Sequence, residues 1–307
     1  MKTWDVIVIG GGIIGLSLSI ALRKRGANVL VVERGEPGRE ASHAAGGMLV
    51  DCPIETPVPL QPLATASAKM YHEFAHELET ESGMKVDLRD QGTILFLSKE
   101  HLRHPQLANT VLNPAELSAL EPEWAESPLD LEFDLREESV DADEIALAGL
   151  AVHPATYYLK ERSVDPRALT LAAWKTAKNR GVDFSSGDPV TAINFSDGHV
   201  TGVTTTKTSF LAGKVVNCAG AWSGMIAPHK FPTRPVKGQM LCVAMPSRTL
   251  IRHVIRTPEV YLIPRSDGRL LVGATVEEAG FDKRTDPPTI QRQYRAAVNV
   301  CLLYTSD

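Results

Sequence analysis

Apolar positions change period twice before Glu33. Asp5 to Ile9 is a short, β-branched run of the kind buried in a parallel sheet. It passes through Gly10-Gly11-Gly12-Ile13-Ile14-Gly15, after which Ile14, Leu16, Leu18, Ala21 and Leu22 recur at helical spacing. Arg23 to Arg25 put positive charge in the last turn, and Gly26 stands where a helix C-cap needs positive φ. Ala27 to Val32 reads as a second strand ending at Glu33. The pattern predicts a strand–helix–strand unit at the start of the chain.

A second readable block lies further on. Val164-Asp165-Pro166-Arg167 predicts a helix start, Leu169, Ala172, Ala173 and Ala177 give it a small apolar face, and Gly181 ends it. A short strand follows near Val182 to Phe184. Val190 to Phe195 and Val200 to Thr206 flank a Ser196-Asp197-Gly198 turn, which is a hairpin signal. Lys214 to Cys218 is an apolar strand running into Ala219-Gly220-Ala221-Trp222. Outside these blocks, Asp87 to Leu97, Val260 to Pro264 and Arg269 to Gly273 read as strands of one mixed sheet, assembled from two separated stretches. Proline-rich Cys52 to Pro62 reads as a loop bordering the site. No internal repeat is evident.

Composition narrows the function classes. With 307 residues, about two domains are expected. The net charge of −5, with both signs interspersed, argues against a nucleic-acid partner. Cys52, Cys218, Cys242 and Cys301 show no CxxC spacing and read as reduced thiols of a cytoplasmic protein. Val6 to Leu22 is apolar enough to suggest a signal or anchor, but the glycine triplet breaks such a helix. No other stretch is long and apolar enough for a bilayer, so no membrane partner is expected.

The glycine turn carries the first chemistry. Gly10 permits a tight turn, Gly12 leaves the main chain open to a pyrophosphate, and Gly15 lets helix and strand pack closely. The free N–H groups and positive dipole end of the helix face the phosphates. Glu33, eighteen residues after Gly15, suits ribose hydroxyls and disfavours a 2′-phosphate; Arg34 beside it weakens the second point. The motif alone does not separate FAD from NAD. The small-residue run Glu40-Ala41-Ser42-His43-Ala44-Ala45-Gly46-Gly47-Met48 lets a ligand lie against the backbone, and Ser42 is suited to capping a helix and donating to a phosphate. A surface loop reads equally well there.

Together, the GGGIIG opening, the Glu33-Arg34-Gly35 end of the second strand and the A-S-H-A-A-G-G-M-L run resemble the start of the FAD-dependent D-amino-acid oxidase family, on the side of its bacterial glycine oxidases and thiamine biosynthesis. Pro235 to Leu241, and Val260 to Arg265 leading to Leu271 to Thr275, resemble the same family. The resemblance implies FAD and an α/β architecture. One domain is Rossmann-like, of the two-dinucleotide type with a β-meander, from residues 1–83 and 156–230. The other is an α+β substrate domain with a mixed or antiparallel sheet, from residues 84–155 and 231–300.

Carried over residue by residue, the resemblance assigns the cofactor to Gly10, Gly12, Ile13, Ile14, Gly15, Glu33, Arg34, Ser42, Ala45, Gly46, Gly47 and Met48, to the Val190 backbone, and to Ala219, Gly220 and Trp222. His43 receives no role. Tyr261 is expected to hydrogen-bond a substrate carboxylate, although the pattern alone reads as a strand aromatic. Arg265 is a second candidate for steering an anion, against the plain reading of a solvated charge after a strand. The implied reaction oxidises glycine, sarcosine or a small D-amino acid to an imine and then an oxo acid. Hydride passes to flavin, and dioxygen restores the oxidised cofactor. An amine bound neutral needs no side-chain base, so none is nominated. A dehydrogenase using another acceptor and an inactive fragment stay open, as does a homo-oligomeric state.

His72-Glu73-Phe74-Ala75-His76 matches HExxH in a helical context, where two histidines on one face could hold zinc with Glu73 as base. This rival reading is a zinc hydrolase; the family reading makes the segment an ordinary helix packed through Tyr71 and Phe74, with no metal. Family members continue past this terminus into a Gly-Leu-Arg-Pro-like stretch with a carboxylate-binding arginine. Cys301 to Asp307 resembles an artefactual tail, so the chain as written is expected to lack oxidase activity.

Overall fold

The computed structural model describes residues 2–50, 56–97, 107, 110–125 and 155–301. Much of the 84–155 stretch expected in the substrate domain, residues 52–55 of the expected loop, and residues 302–307 of the expected tail lie outside them.

Two sheets build the cofactor unit. The parallel sheet has the order β13 (Val215–Asn217), β2 (Val6–Ile9), β3 (Val29–Glu33), β9 (Asp183–Ser186). β2 and β3 are buried along their whole length, as a parallel sheet covered on both faces requires. On one face lie α1 (Ile13–Lys24), α3 (Gln61–Ser82) and α6 (Pro166–Asn179), packed through Leu16, Ile20, Leu78, Leu169 and Ala173. α6 begins where Asp165 accepts the Arg167 and Ala168 N–H groups at 2.8 and 3.2 Å and Pro166 occupies the first turn. On the other face β10 (Val190–Ser196), β11 (His199–Thr205) and β12 (Ser209–Ala212) form the meander, joined by the short β1 (Thr3–Trp4). Asp197 and Gly198 both adopt positive φ at the hairpin turn.

The second sheet has six strands in the order β14 (Met240–Ala244), β17 (Arg269–Gly273), β16 (Tyr261–Pro264), β15 (Val254–Arg256), β6 (Thr93–Leu97), β7 (Ala155–Leu159). It is mixed: β15 and β6 run parallel and the other pairs antiparallel. Two separated stretches do supply it. β7, at the expected 155/156 boundary, belongs to this sheet through its pairing with β6. α7 (Pro287–Cys301) lies against it through Ala297 and Val300, and α4 (Pro114–Leu120) through Leu117 and Leu120. α5 (Pro122–Ala125) follows α4 directly.

The expected continuous strand from Asp87 to Leu97 is two strands. Gly92, at φ +102°, breaks it, because a Cβ there would stand 2.6 Å from Tyr158 Cε2. The first piece, β5 (Leu88–Arg89), joins β8 (Arg162–Val164) and β4 (Met48–Leu49) in a small three-stranded sheet between the two units. The short α2 (Ala41–Ala44) precedes β4. No helix among the described residues is long and apolar enough to cross a membrane.

Candidate cofactor and substrate site

A cavity of about 1310 Å³ opens at the carboxyl ends of β2, β3 and β13. That exceeds the roughly 300–1,000 Å³ of an ordinary small-molecule pocket and suits an extended dinucleotide. Gly10 turns at φ +101°, where a Cβ would meet Cys218 O at 2.5 Å. Gly12 is the N-cap of α1, and the first turn carries no acidic residue, so the positive helix end is left for a ligand. Gly15 does not line the cavity; a Cβ there would come within 2.0 Å of Gly10 O and 3.2 Å of Val8 Cγ1. Its role is the close approach of helix to strand.

Glu33 is buried and already positioned. Its Oε2 accepts the Gly11 N–H at 2.7 Å and its Oε1 accepts the Gly35 N–H at 2.9 Å. Each carboxylate oxygen keeps a further lone pair for a ribose hydroxyl. Ser42 caps a helix other than its own: its Oγ accepts the Ile13 N–H at the start of α1 at 3.0 Å. Ile13, Ile14, Arg34, Ser42, Ala45, Val190, Ala219, Gly220 and Trp222 all line the same cavity as Gly10, Gly12 and Glu33. Ile14, which also lines it, is 70% exposed. Glycine backbone, helix end and ribose-type carboxylate therefore fit a bound dinucleotide.

Gly46, Gly47 and Met48 sit to one side, between the cofactor unit and the six-stranded sheet. A Cβ on Gly47 would clash with Val164 O at 2.0 Å; one on Gly46 would meet Ile263 Cδ1 at 2.7 Å and Tyr261 Cε2 at 3.5 Å. Met48 begins β4, paired with Ser163.

Tyr261 does not line the large cavity itself. Met240, which does, stands beside it and accepts the Tyr261 hydroxyl at 3.7 Å through Sδ. Burial pushes the Tyr261 phenol above its ordinary pKa, which keeps it a donor. Arg265 is the clearest departure from expectation. A solvated charge was the plain reading, yet it is 1% exposed, with Nη2 donating to Gly46 O at 2.5 Å and Nε and Nη1 without hydrogen-bond partners. Burial pulls its pKa down, opposed by the nearby Asp165 and Asp87 charges. It lies behind the Gly46 backbone, not in the cavity.

Several residues escaped sequence reasoning. Asp165 pairs with Arg269 at 2.7 Å, and both line the large cavity and a second one of about 650 Å³. Asp165 was legible only as part of a helix start. Gln239 and Met240 fall in a quoted stretch but carried no assigned role, and Phe281 and Lys283, also on the cavity wall, follow no motif. His72 and His76 are exposed on α3 and line the second cavity; His72 Nε2 lies 3.2 Å from Asp90. Among the described residues no three His, Cys, Asp or Glu side chains are placed to hold a metal. Tyr71 and Phe74 pack inward, edge to face at 6.5 Å.

Residues 5–302 match the family model described as DAO, FAD dependent oxidoreductase. The chain is 33% identical over 305 residues to the bifunctional protein ThiO/ThiG of Synechocystis, covering 97% of this chain and 42% of that one. It thus spans under half the length of such bifunctional relatives. It is 30% identical to glycine oxidase of Bacillus licheniformis, covering 96% of this chain and 76% of that one. The crystal structure of glycine oxidase from Geobacillus kaustophilus superposes with a TM-score of 0.83 at 26% identity, covering 98% of this chain and 79% of that one.

Proposed function

The chain belongs to the DAO family of FAD-dependent oxidoreductases, and on that premise we propose that it oxidises a small amino acid, glycine, sarcosine or a small D-amino acid, at its α-carbon. The observation that carries this reading is the course of the cavity. It runs from Glu33 at the ribose end to Met240, Leu241 and Leu271 on the six-stranded sheet, beside the strand that bears Tyr261. A dinucleotide held at Glu33 and the α1 N-terminus therefore extends toward the sheet that would carry substrate.

When bound, FAD supplies the two-electron acceptor for the substrate's α-hydrogen. The remaining work belongs to the protein. Gly10, Gly12 and the α1 N-terminus hold the pyrophosphate, and Glu33 holds the ribose. Tyr261 anchors the substrate carboxylate. Its O–H now engages a thioether, a weak acceptor that a carboxylate readily displaces. Gly46 brings the backbone against the Tyr261 ring, and Arg265 fixes that backbone through its carbonyl. Fixing the carboxylate end orients the α-carbon, which is how a cofactor enzyme gains rate without a side-chain base. We place the enzyme in the cytoplasm and take dioxygen as the acceptor.

The experiment is anaerobic mixing of the FAD-loaded chain with glycine, sarcosine or D-alanine while following the flavin absorbance. Bleaching by at least one of them, followed by peroxide formation when air is admitted, supports the reading. No bleaching by any small amino acid sinks it and favours the alternative that the chain as written is an inactive fragment. Bleaching without peroxide, relieved by an artificial electron acceptor, keeps the substrate class and replaces dioxygen.

A further inference from the structure

A strap forms part of the cavity wall and joins the six-stranded sheet to the cofactor unit. After β17 the chain leaves the six-stranded sheet and passes along the cavity wall through Gly280 to Lys283 before α7 begins. Its base is fastened to the segment leading into β14: Lys237 and Glu277 exchange backbone hydrogen bonds at 2.9 and 2.8 Å, and the Asp286 N–H reaches Gln239 Oε1 at 2.7 Å. Its tip is fastened to the cofactor unit. The Phe281 ring stacks on Trp222, centroids 5.0 Å apart and planes 26° apart. The Arg34 guanidinium lies over the same indole at 3.5 Å. Glu40 ties the two sides, accepting from Arg34 and from Lys283, each at 2.5 Å. Burial would raise the Glu40 pKa, but its bonds to Lys283 and Arg34 hold it below the ordinary value.

This arrangement is placed to govern passage. Arg34 follows Glu33 directly, and Trp222 follows the Ala219-Gly220 turn. The residues that grip the strap are thus neighbours of those that face the ribose and the end of β13. Phe281 is 44% exposed, and Trp222 is half-buried, so the stack makes little contribution to the core. Stacking and cation–π contacts of this kind are stable enough to hold a segment and weak enough to open on the time scale of a binding event. We infer that Phe281, stacked on the Trp222 indole that Arg34 also covers, is the gating residue of the FAD site: the strap opens for the cofactor to enter or leave and closes behind it. The inference rests on the FAD reading of the cavity and not on the substrate.

A gate closed with or without ligand has a kinetic signature unlike that of a contact. It slows entry and exit alike, so its removal speeds both by one factor and leaves Kd unchanged. A residue that touches bound ligand changes chiefly the exit rate and the Kd. The test uses the full chain and FAD itself, with association and release followed by flavin fluorescence. Phe281→Ala is expected to raise both rates about tenfold, the equivalent of about 1.4 kcal/mol, with Kd held within about twofold. Phe281→Tyr is expected to restore the slow rates. In the cofactor-free protein, Phe281→Ala is also expected to shift the emission assigned to Trp222 by difference from Trp222→Phe.

Release that accelerates alone while Kd weakens, or two unchanged rates, would overturn the gate. If Phe281→Ala does not fold, Lys283→Met decides: Lys283 is an exposed residue whose loss frees Glu40 from the strap, and both rates are expected to rise. Unchanged rates there overturn the proposal equally. A wild-type chain that binds no FAD removes the gate and the cofactor reading together. A chain that shows these rate changes but does not oxidise glycine keeps the gate and loses only the substrate reading.

Discussion

Tyr261 lies directly across from Gly273 in antiparallel register, and a Cβ on Gly273 would stand 2.9 Å from Tyr261 Cε2 and 2.7 Å from Met240 Cγ. Met240 also pairs with Gly273, from the other side. One missing side chain therefore makes the space in which the phenol and the thioether meet, and Gly46 approaches from the cofactor unit. This is an aromatic ring filling the gap beside a cross-strand glycine. It also fixes where the Tyr261 hydroxyl points.

Gly273→Ala is expected to push Tyr261 and Met240 apart. Overpacking of this kind costs about 1–3 kcal/mol. The apparent KM for glycine should rise while FAD affinity stays near that of the wild type, since Gly273 does not line the cofactor cavity. Steady-state kinetics with flavin titration on the same preparation checks both. An unchanged KM would mean that the position of Tyr261 does not matter to substrate.

Tyr261→Phe keeps the ring and removes the donor. If the hydroxyl anchors a carboxylate, the loss is that of a hydrogen bond to a charged group, about 1.5–3 kcal/mol, or roughly 10- to 150-fold in apparent KM for glycine. An uncharged amine of similar size should be far less affected. Equal losses for both would assign Tyr261 to packing.

Glu33→Ala is expected to do two things. It strips the Gly11 and Gly35 N–H groups of their acceptor, at about 1–3 kcal/mol for the buried Gly11 group, while the exposed Gly35 N–H can turn to water. If Glu33 also holds the ribose, as proposed, FAD affinity falls more than protein stability alone explains. Glu33→Gln retains one acceptor oxygen and should fall between. Thermal unfolding with and without FAD separates the effects: a variant destabilised equally in both conditions has lost only the backbone bonds.

What was legible in the sequence was local. The turn at Gly10, the Asp165-Pro166 helix start and the Asp197-Gly198 hairpin each announce themselves through φ or a cap, which depend on the residue and its near neighbours, and Gly15 through its place in the glycine motif. The strands of the mixed sheet were legible as short apolar runs beside turn signals. The break at Gly92 was not legible, because it depends on Tyr158, which arrives from a distant strand. Arg265 read as solvated for the same reason: its burial comes from the fold, which brings the Gly46 carbonyl to meet it. Phe281 and Lys283 sit in a stretch without periodicity, so their part in the cavity wall appears only once Trp222 and Glu40 are brought opposite.

Asp165 yields the prediction on pH. Burial would raise its pKa, but the Arg269 hydrogen bond, the Ala168 and Arg167 N–H groups and the Arg265 charge together hold it below the ordinary carboxylate value. A group with a depressed folded-state pKa stabilises the fold above its unfolded pKa, near 3.9, and loses that contribution as pH falls through the folded value. Asp165→Ala should therefore cost about 0.5–2 kcal/mol at neutral pH through the lost cap of α6, with the loss of the Arg269 pair adding to it. The gap between wild type and variant should narrow below about pH 4 as the wild-type carboxylate takes up its proton. Asp165→Asn keeps a capping acceptor without the charge, so it should recover part of the neutral-pH loss and none of the acid dependence. Thermal unfolding midpoints of the three proteins between pH 3 and 7 provide the measurement. A gap between wild type and Asp165→Ala that stays constant across that range would show that the carboxylate carries no charge-dependent stability.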